Sequence, residues 1–234
     1  CAVLAPDQRI ADALRAHTRV PLSPSAWGVP VPEHPTPAWR GRVGPLAIVV
    51  LTAGCTKPEL LDALTGLRNA TADGPECLVF VDDAALSNDR SLWSRVERLG
   101  FDTPPSLIPD MEARRHLLLR AHALVCPGRA VEVRSVVLES LAAGLLVYSP
   151  LGALPGVGPD GLQEHVAQPN PAGWSEAFAR TLRDDARAHE RGVASRESMR
   201  EHHPSYRHAE SLEGLYESLH ADGTLPFQPA GASR

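Results

Sequence analysis

The residues best suited to chemistry sit where apolar strands run into helices. The stretch Leu124–Pro150 reads LVCPGRAVEVRSVVLESLAAGLLVYSP. It carries two carboxylates, Glu132 and Glu139, the guanidinium of Arg134 and the hydroxyl of Ser135, all on or beside one helical run. A second candidate, Lys57, follows the apolar run Leu46–Leu51 across a loop that contains Gly54. A loop at the carboxyl end of a strand that feeds a helix presents unpaired N–H groups and the positive end of the helix dipole. Such a place holds anions, phosphates above all. Here the amides would come from Val133–Val136, and Lys57 and Arg134 could add positive charge. Each residue also has a plainer reading. Glu132 would complement the helix dipole, Arg134 and Lys57 would be surface cations, and Glu139 would be a solvent-facing or ion-paired helix residue.

The elements that must hold these residues follow from pattern. An apolar strand, Ala123–Cys126, enters a Pro-Gly turn; a helix spans about Val133–Ala143, ends at Gly144, and a strand Leu145–Ser149 follows. Strand, helix, strand with short connections is one βαβ unit of a parallel sheet. Leu46–Leu51 and Cys77–Val81 are continuous apolar runs, as in strands buried on both faces. Lys57-Pro58 opens a helix with Leu60, Leu61, Leu64 and Leu67 on one stripe, and further helices are expected over Asp89–Leu99 and over Met111–His122, capped by Asp110. A short strand is expected at Ser106–Ile108 and another around His165–Ala167. Pro171–Asp184 aligns Trp174, Phe178 and Leu182, Asp185–Glu201 is polar, and Tyr206–Leu219 is a last helix. At the other end, Cys1–Leu4 reads as a strand and Pro6–Thr18 as a helix, with a Pro/Gly-rich turn at Trp27-Gly28-Val29-Pro30 and an aperiodic segment at Glu33–Gly44. Strands alternating with helices call for an α/β, doubly wound, mostly parallel sheet with helices on both faces. Its crevice would lie at Thr52–Lys57, Pro109–Met111, Pro127–Val136 and Pro150–Val157. Residues 1–222 are expected to form one Rossmann-like domain and residues 223–234 a flexible tail.

The stretch around Glu139 resembles the donor-domain signature of glycosyltransferase family 4, the "glycosyl transferases group 1", which has a glycosyltransferase B fold. Pro127-Gly128 stands for the family's Pro-Ser, Leu138-Glu139-Ser140-Leu141-Ala142-Ala143-Gly144 for its Leu-Glu-Ala-Met-Ala-x-Gly, and Leu146-Val147 for its Pro-Val. The resemblance implies that Glu139 binds ribose hydroxyls, that Glu132 addresses the donor sugar, and that the amides at Ser135 and Val136, with Arg134, face the diphosphate. It implies that Lys57, after the Gly54 loop, neutralises that diphosphate, and that the backbone at Met111 approaches the base. The pattern is incomplete. The family's first Glu falls on Val131, with Glu132 one residue off; the Arg that accompanies the Lys is missing; and Gly156 stands for the Glu of Gly-Gly-x-Pro-Glu.

Composition narrows the field. The chain has 234 residues, 43% hydrophobic and 22% charged, with a net charge of −5. That suits a globular α/β domain and argues against a nucleic-acid surface, which needs a basic excess. No apolar run reaches membrane-spanning length. Cysteines at 1, 55, 77 and 126 make no C-x-x-C pair, so they favour a reducing setting; Cys77 and Cys126 read as core, and Cys55 as a loop thiol that could react but is more often incidental. The start at Cys1 suggests an excised domain or a processed chain, and Cys1-Ala-Val-Leu reads as a strand rather than a lipid tether. His202-His203 lacks partners for a metal and reads as a helix end; no metal and no cofactor is expected. The resemblance implies the donor-binding domain of a retaining, metal-independent glycosyltransferase. Its partners would be a nucleoside-diphosphate sugar and an N-terminal domain of the same enzyme, without which it is inactive. It leaves room for peripheral membrane association of the full-length protein. The alternative is a degenerate binding or scaffold module without catalysis, and a sugar epimerase of the same architecture ranks last.

Overall fold

The computed structural model describes residues 3–5, 12, 14–15, 17, 22–24, 28–33, 39, 43–82, 89–128, 134–153 and 161–221. Its strands are β1 (Val3–Ala5), β2 (Leu22–Pro24), β3 (Leu46–Val50), β4 (Cys77–Asp82), β5 (Ser106–Ile108), β6 (Ala123–Val125), β7 (Leu146–Pro150) and β8 (Gln163–Val166). Its helices are α1 (Lys57–Thr71), α2 (Arg90–Glu97), α3 (Met111–Leu118), α4 (Arg134–Ala143), α5 (Pro171–Leu182), α6 (Asp185–His202) and α7 (Ser205–Ala221). The chain divides into two compact units, Val31–His202 and a second made of Cys1–Pro30 with His203–Arg234.

In the larger unit six strands pair in parallel in the order β5-β4-β3-β6-β7-β8. The chain begins in the middle, at β3, winds outward through β4 and β5, and returns to lay β6, β7 and β8 on the other side. This is the doubly wound Rossmann order, and its winding reverses between β3 and β6. The expected parallel α/β sheet is therefore the observed one.

Helix formation follows local chemistry. Thr56 caps α1: its hydroxyl accepts from the Glu59 N–H at 3.4 Å, and the Glu59 carboxylate accepts from the Thr56 N–H at 2.8 Å, with Pro58 in the first turn. Asn170 caps α5 through the Gly173 N–H at 2.9 Å. Leu60, Leu64 and Leu67 of α1, Leu92 and Val96 of α2 and Trp174 and Phe178 of α5 bury against Ile48, Val50, Val79, Val81 and Tyr148 of the sheet. Full burial of each large side chain contributes about 1.5–3 kcal/mol. Gly66 makes room for α5, since a Cβ there would lie 2.3 Å from the Trp174 Cβ. Side chains alternate along a strand, so Val49, Leu124 and Val147, absent from that cluster, turn to the opposite face. There the buried side of α4 (Val137, Leu138, Leu141) completes the fold, and α4 packs on α6. Gly144 ends α4 at φ +85°. A Cβ on Gly192 of α6 would lie 2.5 Å from the Gly144 carbonyl, so the two backbones meet directly.

Two of the boundaries that differ from expectation have a visible reason. The helix expected over Met111–His122 ends at Leu118. His122 is drawn to the sheet instead: its N–H donates to the Ala47 carbonyl at 2.7 Å, and its Nδ1 accepts from the Ala47 N–H at 3.0 Å. The last strand begins at Gln163 rather than near His165, because polar partners bury its start. Ser149 Oγ donates to Gln163 Oε1 at 3.2 Å, and Glu164, 6% exposed, pairs with Arg191 at 2.6 Å and Arg180 at 3.8 Å.

In the smaller unit β1 and β2 pair in parallel. The Gly28-Val29 segment packs on the start of α7: the Val29 N–H donates to the His203 carbonyl at 2.9 Å, and Val29 bridges Pro204. A Cβ on Gly28 would lie 2.5 Å from the Pro204 oxygen, which explains glycine there.

Candidate functional site

In a doubly wound sheet ligands bind outside the strand carboxyl ends, where the winding reverses. Here that place is built by the loops after β3 and β6. Residues Thr52–Cys55 form a tight turn, closed by the Cys55 N–H donating to the Thr52 carbonyl at 3.1 Å, with Gly54 at φ +66°. Gly128 presses onto this turn. A Cβ on it would stand 2.4 Å from the Cys55 nitrogen and 2.5 Å from the Gly54 carbonyl. The close approach gives a physical reason for glycine at this position.

From that floor α4 rises. Of its residues with described side chains, Val137, Leu138, Ser140, Leu141, Ala142 and Ala143 are buried, whereas Ser135, Val136 and Glu139 are half-exposed. Positions 135, 136 and 139 share one helical stripe, so α4 is covered everywhere except along its amino-terminal half. Glu139 forms no hydrogen bond or ion pair among the described residues. The backbone of Arg134 begins the helix. Val131, Glu132, Val133 and Gly156 lie outside the described residues.

Lys57 is differently placed. It is the first residue of α1, its side chain is 62% exposed, and its ammonium pairs with Asp89, which also caps α2 through the Ser91 and Leu92 N–H groups. The Lys57 contact, then the hydrogen bonds from Ser91 and Leu92, holds the Asp89 carboxyl well below the usual carboxylate range. The capping box of Thr56 and Glu59 closes the amino end of the same helix. Met111, 60% exposed, opens α3 beside its cap Asp110, whose carboxylate accepts from the Ala113 N–H at 2.7 Å.

A polar cluster that hydropathy does not reveal sits beside the turn. Asp82 ends β4 at 7% exposure; its Oδ1 accepts from the Thr52 N–H at 3.1 Å and from the Thr52 hydroxyl, and its Oδ2 faces Arg114 at 3.8 Å. The sequence does hold one signal: a charged residue closing a wholly apolar strand must find partners. Cys55 is half-buried, which fits an incidental loop thiol better than a reactive one. Burial, then the charges of Glu59 and Asp82, pushes it up to about 12, so it stays a thiol at neutral pH. Cys77 and Cys126 are buried, as core residues. Concavities of about 310 Å³, beside Asp73 and Arg183, and about 290 Å³, beside His165 and Arg180, lie away from this turn. Among the described residues no three His, Cys, Asp or Glu side chains gather as metal ligands, and no helix is long and apolar enough to cross a membrane.

No family model and no curated protein matches the sequence. Solved structures match by fold. The chain is similar to a glycosyltransferase from Rickettsia africae ESF-5, with a TM-score of 0.71 at 13% identity over 93% of this chain and 63% of that one. It is similar to Anabaena Alr3699/HepE, a structure in complex with UDP and glucose, with a TM-score of 0.68 at 14% identity over 93% of this chain and 63% of that one. The C-terminal domain of the group 1 glycosyltransferase LpcC from Francisella tularensis matches with a TM-score of 0.57 at 14% identity, over 74% of this chain and 94% of that domain. The architecture is one half of a glycosyltransferase B fold. The chain spans 63% of the Rickettsia and Anabaena chains, and so corresponds to a part of each.

Proposed function

We propose that this chain is the donor-binding domain of a retaining, metal-independent glycosyltransferase. The observation that supports it best is the exposure of α4: among its described side chains, only Ser135, Val136 and Glu139 are half-exposed, and the rest are buried. A half-exposed carboxylate without a partner among the described residues suits a pair of ribose hydroxyls. The backbone at Ser135 and Val136, in the first turn of α4, offers N–H groups for a diphosphate. In this reading Arg134 adds charge, Glu132 addresses the sugar, Gly54 allows close approach, Met111 marks the base side, and Lys57 leaves Asp89 to neutralise the departing diphosphate. The acceptor and the remaining catalytic groups belong to a second domain of the same enzyme, so this chain binds donor without turning it over. The reading carries with it a cytoplasmic setting for the domain, with any membrane contact made peripherally by the whole protein.

The test is calorimetry of the chain with UDP, GDP and ADP. One of them binds, and Glu139→Ala weakens it about 10-fold, near 1.4 kcal/mol, without lowering the melting temperature. Folded protein that takes up none of the three contradicts the reading. The alternative, a binding or scaffold module without catalysis, is favoured by the state of α1: its first lysine is paired and its end is capped by its own side chains.

A further inference from the structure

Asp82, Thr52 and Arg114 form a cluster that the assignments above leave unused. A buried carboxylate persists only where its oxygens are satisfied. Oδ1 of Asp82 is satisfied twice by Thr52, which fastens the start of the Gly54 turn to the end of β4. Oδ2 has a different partner, Nη1 of Arg114 at 3.8 Å, reaching in from the first turn of α3. The Arg114 side chain is 24% exposed and makes no other hydrogen bond or ion pair among the described residues. A guanidinium is a rigid fork of five N–H donors that matches phosphate oxygens two at a time. With one nitrogen turned to Asp82, the partly exposed guanidinium keeps N–H donors that have no partner among the described residues, at the carboxyl end of β4. Lys57 contrasts with it, being more exposed, flexible and occupied by Asp89.

We infer that Arg114, oriented by the buried Asp82, is an anion-contacting residue that receives a phosphate or diphosphate over the carboxyl ends of β3 and β4. Asp82 is its positioning residue: it sets the guanidinium plane and holds the neighbouring turn in the same act. The diphosphate ligand class rests on the donor-binding reading, whereas the anion site itself rests on the cluster.

Two probes, inorganic pyrophosphate and UDP, titrated calorimetrically into the whole chain, separate the two ideas. Arg114→Gln weakens both about 10-fold or more, as losing a charge-assisted pair of hydrogen bonds does. Arg114→Lys, which keeps charge but not the fork, falls between wild type and Arg114→Gln. Asp82→Asn loses less than Arg114→Gln, and the exposed neighbour variant Arg115→Gln binds as wild type does. Melting curves of each variant confirm folding, and the salt dependence of pyrophosphate binding flattens in Arg114→Gln. If Arg114→Gln binds UDP and pyrophosphate as wild type does, the inference is wrong and the donor reading stands. If wild type binds pyrophosphate through Arg114 but no nucleoside diphosphate, the donor reading is wrong and the anion site stands. If wild type binds neither, both are wrong.

Discussion

The two faces of the central sheet are built from different materials. On one, α1 and α5 lock through large side chains: Trp174 stacks on Phe178 at 5.6 Å, Phe178 tilts against Tyr148 at 4.7 Å, and Gly66 leaves room for the Trp174 side chain. Burial raises the Tyr148 hydroxyl well above its ordinary range, and it meets Thr181 as a hydrogen-bond partner. On the other face α4 is mostly small and aliphatic, and it meets α6 where Gly144 and Gly192 touch backbone to backbone. Close approach of slim helices covers one end of α4 and leaves the other open. The first face is organised for stability, and the second keeps a stripe of α4 available.

The sharpest way to break this comparison is Trp174→Ala. It should cost about 3–5 kcal/mol in denaturant unfolding and leave nucleoside-diphosphate binding unchanged where the variant is folded; altered binding would mean that the aromatic face also shapes the site. Next comes Gly192→Ala, whose new Cβ meets the Gly144 carbonyl at 2.5 Å. Overpacking of this kind costs about 1–3 kcal/mol, and here the displaced element is α4, so binding should weaken too. Lost stability with intact binding would uncouple α6 from the α4 stripe.

Cys55 gives a smaller effect, on the aromatic side, where it packs against the core. Its folded value, about 12, lies above its ordinary value of 9.0, so the fold favours the protonated thiol. That contribution is whole below pH 9 and is lost as pH rises toward 12. Cys55→Ala should remove this alkaline component of the unfolding profile, and iodoacetamide at pH 8 should label Cys55 far more slowly than a free cysteine. The smallest change is expected from Asp89→Asn. The carboxyl is held below its ordinary range by Lys57, so the pair's contribution is present above about pH 4 and fades as pH falls through the depressed value. Asparagine still caps α2, so only the acid limb of the melting-temperature profile should move.

Much of the scaffold is legible because it is local. LAIVVL and CLVFV read as buried strands, the Leu60, Leu64 and Leu67 stripe as a core-facing helix, and Gly144 as a left-handed cap; each is where the pattern puts it. The site is less legible because its contacts join distant residues. Nothing in the spacing of Lys57 and Asp89 says that they pair, nor in Thr52, Asp82 and Arg114 that they cluster. Glu164 shows the same: nothing local marks it for burial, yet it is buried and paired with Arg180 and Arg191.

By itself, the amino-acid sequence determined the elements and their parallel winding, since periodicity, caps and turn glycines act within a few residues and alternating strands and helices close in few ways. Tertiary structure alone decided which charges are already spent and which stay open. Lys57 and Glu139 stand out in the sequence and Arg114 does not, yet tertiary packing pairs the first with Asp89, sets Arg114 against a buried carboxylate, and leaves Glu139 without a partner among the described residues. The reason is range: a charge is neutralised or freed by whatever lies within a few ångströms, and in this sheet those neighbours come from other turns of the winding.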